Sequence, residues 1–192
     1  MSLEIYTKDN FLEKRLQLKA IQYALNMEAR WGEYDFDPNL PTGCTVNIRE
    51  HEQIYHKFDQ VSRDSFPCIK DYELVRVYCN VFMPGEEPQW HLDVSPIDGL
   101  EAYTVLYYPH LKWERNQGGC TEFWAEDHIF GSLPLPNRAV CFNGGIWHRA
   151  RPMSNQVRFT YALKYELITD PCLLYTSPSP RDLSTSRMPS SA

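Results

Sequence analysis

The sequence lacks the features that mark membrane proteins and nucleic-acid-binding proteins. No window approaches the roughly 20 apolar residues that a membrane-spanning helix needs. The N-terminus shows no positively charged start followed by an apolar run, so we expect no signal peptide. Lys and Arg number 19 against 25 Asp and Glu, which gives a net charge of -6. Bulk electrostatics therefore predict neither a nucleic acid nor a membrane as a partner.

Paired cysteines of the metal-binding or redox type are also missing. The six cysteines are scattered through the chain, and none forms a C-x-x-C pair. In a domain of this size they are typical of reduced, mostly buried thiols in a cytosolic protein. We therefore predict a cytoplasmic location.

The sequence does contain enough apolar residues, 43% of 192, to bury the core of one domain. Residues 1–73 are predicted to be a helical support region. One helix is expected over Asp9–Trp31, where Asn10 resembles an N-cap with Glu13 as its capping-box partner. A second helix is expected over about Glu50–Arg63, from the helical spacing of its apolar residues.

The composition changes at Leu74, where short runs rich in Val, Tyr, Phe and Thr alternate with Pro, Gly and Asn. Eight such runs favour a sandwich or barrel, and eight is the strand number of a double-sheet jelly roll. We assign residues 74–170 to this β core. Residues 171–192 are expected to form a disordered tail, whose composition is typical of translated vector or adaptor sequence. The predicted strands are Leu74–Phe82, Gln89–Ser95, Ala102–His110, Cys120–Ala125, His128–Leu133, Ala139–Asn143, Trp147–Met153 and Arg158–Leu167.

One stretch of this region, Gln89–Val94, contains two residue types that bind metals. His91 and Asp93 are two positions apart, so in an extended segment both side chains lie on the same face. An imidazole beside a carboxylate supplies two ligands of the 2-His-1-carboxylate triad of non-haem Fe(II) oxygenases. The pair alone is a weak signal, because His-x-Asp occurs by chance in many chains.

The third ligand must come from a later strand. His148 opens the predicted seventh strand, which neighbours the second in an eight-stranded jelly roll, whereas His110 and His128 lie at strand ends or turns, where solvated histidines are common. Arg158 begins the last strand. An isolated Arg there is typically a surface residue, but together with the triad we interpret it as the bidentate partner of a buried carboxylate.

Several motifs follow one another along the chain in a characteristic order: Pro84-Gly85, His91-x-Asp93, Thr104–Tyr108, Gly118–Phe123, Arg138–Phe142, and His148-Arg149-Ala150-x-Pro152 with Arg158. This series resembles the catalytic domain of the Fe(II)/2-oxoglutarate dioxygenases of the prolyl 4-hydroxylase type. The resemblance covers about Leu74 to Glu166, roughly half of the chain.

The resemblance implies a mainly β (α+β) fold, a double-stranded β-helix with packing helices in the N-terminal part. It implies Fe(II) on His91, Asp93 and His148, with 2-oxoglutarate as cosubstrate, O2 as oxidant and ascorbate as a candidate reductant. Arg158 would bind the C5 carboxylate of 2-oxoglutarate, and Tyr108 would hydrogen-bond the same carboxylate. The expected reaction hydroxylates a substrate C–H bond and releases succinate and CO2.

Tyr108 has an equally good interpretation as a core tyrosine. If it faces the pocket, Thr104 and Leu106 share its face and Tyr107 points into the outer packing. The chain departs from the family at Phe82, where a tyrosine is often found. That difference removes one hydroxyl from the expected cosubstrate pocket.

Three alternatives and the substrate stay open. A catalytically silent jelly-roll module would bind a ligand through the same pocket, an oxygenase of nucleic acids would carry a basic surface, and a metal-binding cupin would hold more histidines. The substrate is a peptidyl proline, another peptide residue, a free amino acid or another small molecule. Trp90, Trp113, Trp124 and Trp147 are candidates to line its groove.

Overall fold

A computed structural model describes residues 4–33, 39, 41–94 and 100–167. Two antiparallel sheets carry most of this part of the chain, together with two α-helices. The helices are α1 (Lys14–Asn26) and α2 (Gln53–Ser65), with short 3-10 turns at Pro67–Ile69 and Arg115–Gln117. The strands are β1 (Ile5–Lys8), β2 (Arg30–Glu33), β3 (Gly43–Ile48), β4 (Glu73–Phe82), β5 (Ala102–Tyr108), β6 (Thr121–Ala125), β7 (His128–Ser132), β8 (Arg138–Asn143), β9 (Trp147–Ala150) and β10 (Arg158–Glu166).

The sheets face each other across a shared core. The larger sheet has seven strands in the order β1-β8-β5-β10-β4-β3-β2, and the smaller has three in the order β7-β6-β9. Strand β10 lies at the centre of the larger sheet, between β4 and β5. Phe123 of the smaller sheet packs with Leu106 and Phe142 of the larger one. This arrangement is the predicted double-stranded β-helix.

Strand alternation divides the side chains of β10 between two environments. Those beneath the helices are Phe159, Tyr161, Leu163 and Tyr165. Those that face the space between the sheets are Arg158, Thr160, Ala162 and Lys164. The central strand therefore contributes equally to the helix-covered core and to the interior pocket.

Aromatic side chains join the helices to the larger sheet. The ring centroid of Phe58, on α2, lies 4.8 Å from that of Tyr161 and 5.6 Å from that of Tyr107. The Tyr161 hydroxyl donates to the carbonyl of Ala20 on α1 at 2.7 Å. Because aromatic rings bury large apolar areas, the helices complete the core on this side of the sheet.

The first helix is shorter than predicted at both ends. Asn10 adopts a positive φ of 54°, which is incompatible with a right-handed helix. Glu13 is the N-cap residue and no side chain caps the helix, so the predicted Asn10–Glu13 capping box is wrong. Trp31 lies in β2, where pairing with β3 replaces helical hydrogen bonding.

The N-terminal region also contributes strands, which were not predicted. β1, β2 and β3 join the larger sheet, because strand pairing with distant segments decides the state of short stretches of mixed composition. Helix α2 lies close to its predicted position. The domain boundary at residue 74 stays a prediction, and residues 171–192 lie outside the described residues.

The predicted strand Gln89–Ser95 is wrong as a regular strand. Within it, His91 forms an isolated bridge with His148, and Ser95 lies outside the described residues. Pro88 precedes the stretch and lacks the N–H that a longer ladder would use. The other seven predicted strands are present, with small differences at their ends.

No helix in the described ranges is long and apolar enough to cross a membrane. Five of the six cysteines belong to those ranges, and none of the five is in a disulfide. The Sγ atoms of Cys68 and Cys141 lie 3.6 Å apart.

Candidate metal centre and cosubstrate pocket

His91, Asp93 and His148 lie together between the two sheets, with one potential ligand atom from each within 4.8 Å of the others. Nε2 of His91 is 3.8 Å from Oδ1 of Asp93, and Nε2 of His148 is 3.6 Å from Oδ2 of that carboxylate. Three ligands grouped on one side leave the other side of a six-coordinate metal open. That is the arrangement of 2-His-1-carboxylate centres.

Backbone hydrogen bonds bring the three residues together. The N–H of His91 donates to the carbonyl of His148, and the N–H of His148 donates to the carbonyl of His91, each at 3.0 Å. The N–H of Asp93 donates to the carbonyl of Gly144 at 2.9 Å, in the turn before β9. The irregular His91 segment is thus held by the smaller sheet and its preceding turn.

Both histidines present Nε2 to the centre in a form that can bind a metal. Nδ1 of His91 donates to the carbonyl of Gln89 at 3.1 Å, and Nδ1 of His148 donates to the carbonyl of Ile146 at 2.8 Å. A carbonyl only accepts, so each proton lies on Nδ1 and each Nε2 keeps its lone pair. Burial lowers the pKa of His148 to about 3, which keeps this imidazole neutral near pH 7. The donor set therefore fits a divalent iron.

The Asp93 carboxylate is held in its charged form. Burial alone would raise its pKa, but the Lys164 ammonium, followed by His148 and His91, holds the pKa well below the usual range. Lys164 forms an ion pair with Oδ2, and the Thr104 hydroxyl donates to the same oxygen. Asp93 is consequently ionised at any pH at which the protein is expected to work.

At the deep end of the same pocket, Arg158 is a buried cation. Its Nε donates to the carbonyl of Gly119 at 2.9 Å, and its Nη2 donates to Oγ1 of Thr121 at 3.0 Å. The Tyr108 hydroxyl lies 2.7 Å from the same Oγ1 and is fully buried. No carboxylate pairs with Arg158 among the residues that the structure describes. A buried cation with neutral neighbours is suited to an anion from outside the chain.

The pocket is closed at the Arg158 end and open at the metal end. Arg158 is 1% exposed, whereas the side chains of His91 and Lys164 are 20% and 17% exposed. The empty space of this pocket, including its open mouth, is about 400 Å³. Phe82 lines the deep part with its ring in place of a hydroxyl. A wider groove between α1 and α2 has an empty space of about 1830 Å³ by the same measure, but its lining contains no metal-ligating cluster in the described residues.

Sequence reasoning missed three polar residues that line this pocket. Thr160 and Lys164 lie two and six positions after Arg158, so the two-residue period of a strand would have placed them on its face. Asn80 is the cross-strand partner of Thr160. Within the described ranges, Oγ1 of Thr160 and Oδ1 of Asn80 are buried and have no hydrogen-bond partner, which is unusual away from a binding site.

The other candidate residues have different surroundings. His128 is largely exposed, as expected, but His110 is 6% exposed and accepts the N–H of Phe159 on its Nε2, so its predicted solvation is wrong. Alternation places Leu106 with Tyr108 and sends Tyr107 into the helix-covered core, as predicted. None of the four candidate tryptophans lines the pocket: Trp90, Trp113, Trp124 and Trp147.

Comparison with known proteins agrees with this geometry. Residues 75–165 match the family model described as the 2OG-Fe(II) oxygenase superfamily. No curated protein sequence matches the chain significantly.

Solved structures share the fold at low sequence identity. A prolyl-4-hydroxylase from Pseudomonas putida is 16% identical, with a TM-score of 0.65 over 86% of this chain and 92% of that one. A prolyl hydroxylase from Trichoplax adhaerens, in complex with a hypoxia inducible factor peptide, is 18% identical, with a TM-score of 0.69 over 86% and 84%. HygX from Streptomyces hygroscopicus, with nickel and 2-oxoglutarate bound, is 8% identical, with a TM-score of 0.65 over 85% and 83%.

A double-stranded β-helix with a His-Asp-His cluster beside a buried arginine defines the class of 2-oxoglutarate-dependent non-haem iron dioxygenases. The match to the 2OG-Fe(II) oxygenase superfamily model covers residues 75–165 and includes all three candidate ligands and Arg158, so this part of the chain is a 2-oxoglutarate-dependent dioxygenase domain. Enzymes of this family use Fe(II), 2-oxoglutarate and O2.

Proposed function

We propose that this chain hydroxylates a C–H bond of its substrate, with His91, Asp93 and His148 holding the iron. The observation that carries the proposal is that one pocket contains three potential metal ligands and a buried arginine that has no carboxylate partner among the described residues. Bound Fe(II) supplies the oxidative chemistry that couples decarboxylation of 2-oxoglutarate, to succinate and CO2, with hydroxylation of the substrate.

The chain's own residues hold and orient the cosubstrate. Arg158 binds its C5 carboxylate, for which a planar guanidinium is the strongest partner in a buried site. Tyr108 and Thr160 supply hydroxyl groups to this pocket: the Tyr108 hydroxyl lies beside that of Thr121, and the Thr160 hydroxyl has no hydrogen-bond partner among the described residues. Phe82 and Leu106 exclude water from the deep part of the pocket.

The substrate belongs to one of two groups. Two structural neighbours support peptidyl proline, because both are named as prolyl hydroxylases. A free amino acid or another small molecule is the alternative. Mass spectrometry of proline-containing peptides incubated with the enzyme would detect the addition of one oxygen atom.

The proposal is tested without knowledge of the substrate. Purified protein with Fe(II), ascorbate and 2-oxoglutarate is expected to form succinate slowly, as followed by mass spectrometry. His148→Ala should lose the bound metal, because two remaining ligands hold a divalent ion poorly. The matched control is His128→Ala, which removes an exposed histidine from the same smaller sheet. Metal retention by His148→Ala, or wild-type protein that binds no metal, would contradict the proposal.

A further inference from the structure

Lys164 is a cation at the mouth of the pocket to which the proposed function gives no role. Its Nζ pairs with Oδ2 of Asp93 and donates to Oγ1 of Thr104 at 3.1 Å. Asp93 is its one recorded carboxylate partner within the described part of the chain. Lys164 stands at the open end of β10, and Arg158 stands at the closed end of the same face.

A second cation lies directly beside it. Arg76, on β4, is the cross-strand partner of Lys164, so both side chains emerge on one face of the sheet. Cζ of Arg76 lies 4.2 Å from the ring centroid of Tyr78, and Nζ of Lys164 lies 5.8 Å from the same centroid. Like charges directly opposite each other weaken a sheet. Nε and Nη2 of Arg76 donate to Oδ1 of Asn47 at 3.3 and 3.1 Å, which holds this guanidinium on the same face of the sheet as Lys164.

The charges of the loaded site do not balance at this end. Asp93 and one carboxylate of 2-oxoglutarate offset a divalent metal, and the other carboxylate offsets Arg158. Lys164 then shares the Asp93 carboxylate with the metal, and its other neighbours are the hydroxyl of Thr104 and the ring of Tyr78. The loaded site as a whole therefore carries one surplus positive charge in a place that is largely withdrawn from water, which is unfavourable without a further anion.

The surplus positive charge lies at the mouth of the pocket, so a group that enters through the mouth would neutralise it. The deep end is closed by Arg158 and taken by the cosubstrate, so the substrate enters at the mouth, where His91 and Lys164 are accessible. An anionic group on the substrate would pass beside Lys164 and Arg76 as the reacting carbon approaches the metal. Two adjacent cations on neighbouring strands are a fitting receptor for a carboxylate.

We infer that the substrate presents a carboxylate to Lys164 and Arg76 at the mouth of the pocket. Of the two candidate groups of substrates, this favours the small carboxylic acids, which include free amino acids, over an internal residue of a neutral peptide. This inference rests on the proposed function, because the charge balance assumes a bound metal and 2-oxoglutarate.

The test measures binding to protein loaded with Zn(II), which is redox-silent, and with saturating 2-oxoglutarate. Each carboxylic acid is compared with its primary amide: propanoate with propanamide, L-proline with L-prolinamide, and N-acetyl-L-proline with its amide. Affinity is obtained from the rise in Tm with probe concentration. At least one acid is expected to bind about tenfold or more tightly than its amide, since a charge-assisted hydrogen bond distinguishes the two.

Variants assign the preference to the two cations. Lys164→Gln should reduce the acid-to-amide affinity ratio to near one, Arg76→Gln should reduce it in part, and Lys164→Arg should preserve it. The matched control is Lys57→Gln, which removes the same charge from the exposed surface of α2 and should keep the wild-type ratio. If Lys164→Gln does not fold, the wild-type ratio and Arg76→Gln decide the outcome.

Failure of the carboxylate inference can be distinguished from failure of the proposed function. Melting curves of wild-type protein with Zn(II) and 2-oxoglutarate alone test the proposed function before any probe is added. Protein that is stabilised by both, but binds acids and amides equally or binds none of them, would overturn the inference alone. A ratio that survives in Lys164→Gln and Arg76→Gln would overturn it as well.

Discussion

At the scale of single residues, the burial of Arg158 and the neutral groups around it indicate which kind of ligand would bind there. The guanidinium is withdrawn from water and donates to the Gly119 carbonyl and the Thr121 hydroxyl, which are neutral. Burial lowers its pKa, yet an arginine keeps its proton at neutral pH. The uncompensated positive charge explains why this end of the pocket would bind a carboxylate tightly.

Replacing Arg158 by Gln is expected to raise the Kd for 2-oxoglutarate by about two orders of magnitude. Removing one partner of a buried, hydrogen-bonded charge pair costs roughly 2–5 kcal/mol, and about 1.4 kcal/mol corresponds to tenfold. Isothermal titration with Zn(II)-loaded protein measures the change. Arg138→Gln is the control, because this arginine pairs with Asp9 at the surface. Unchanged cosubstrate affinity in Arg158→Gln would show that the anchor lies elsewhere.

At the scale of secondary-structure elements, the turn between β8 and β9 positions the carboxylate ligand. Gly144 accepts the N–H groups of Asp93 and Val94 on its carbonyl and donates to the carbonyl of Ala102 at 2.8 Å. A Cβ at this position would lie 3.3 Å from the Cβ of Asp93 and from Cγ2 of Val94. These hydrogen bonds to the Gly144 turn hold the Asp93 segment in place of regular strand pairing.

Gly144→Ala is expected to raise the Kd for a divalent metal by about tenfold, the lower end of the effect of disturbing groups that orient metal ligands. The added methyl group must push Asp93 by a few tenths of an ångström. Metal titration followed by Tm measures the loss. Gly131→Ala, in β7, is the control, because its new methyl group would have ordinary contacts at 3.6 Å. Equal metal affinities of the two variants would argue against this role of the turn.

At the scale of the whole molecule, His110 connects three parts of the fold. Its carbonyl accepts Nε2–H of Gln17 on α1 at 3.0 Å, and its ring Nε2 accepts the N–H of Phe159 on β10 at 3.1 Å. Burial, followed by the charge of Arg158, lowers its pKa to about 4. Nε2 must be unprotonated to accept the Phe159 N–H, so the contact of His110 with β10 requires a neutral ring, whereas the bond from Gln17 to its backbone carbonyl does not.

The metal-free protein is expected to lose stability as the pH falls from about 6.5 to about 4. In this window the unfolded chain, whose His pKa is near 6.5, binds more protons than the folded one, so unfolding becomes easier. His110 accounts for about 3 kcal/mol of this loss, and His148 acts in the same direction. Urea unfolding at several pH values measures the slope.

His110→Gln should flatten that pH dependence, because Gln does not titrate and its Oε1 can accept the Phe159 N–H. His128→Gln, which alters an exposed histidine, should keep the wild-type slope. A slope in His110→Gln as steep as that of the wild type would mean that other groups cause the acid sensitivity.

The candidate metal ligands and the proposed cosubstrate-binding arginine could be predicted from the sequence, because each is an uncommon residue type at a characteristic spacing. His91, Asp93, His148 and Arg158 are all present in one pocket. Strands β4 to β10 could be predicted because their composition and turns are regular. β1, β2 and β3 could not, since short strands in the N-terminal region depend on partners far away in the chain.

The contacts of the other residues, in the pocket and in the core, could be found only from the tertiary structure. Lys164 could be assigned to the face of Arg158 from strand period alone, but its pairing with Asp93 and its position beside Arg76 depend on how β10, β4 and the His91 segment come together. The burial of His110 likewise follows from packing, because nothing in its local sequence distinguishes it from a solvated histidine.

The sequence by itself determined the class of chemistry, because metal ligands and a carboxylate-binding arginine must be specific residue types in a specific order. The tertiary structure alone decided the direction of the pocket, closed at Arg158 and open at Lys164, and the pairing of Lys164 with Arg76. The physical reason is that burial and the balance of charges arise only when distant strands pack side by side.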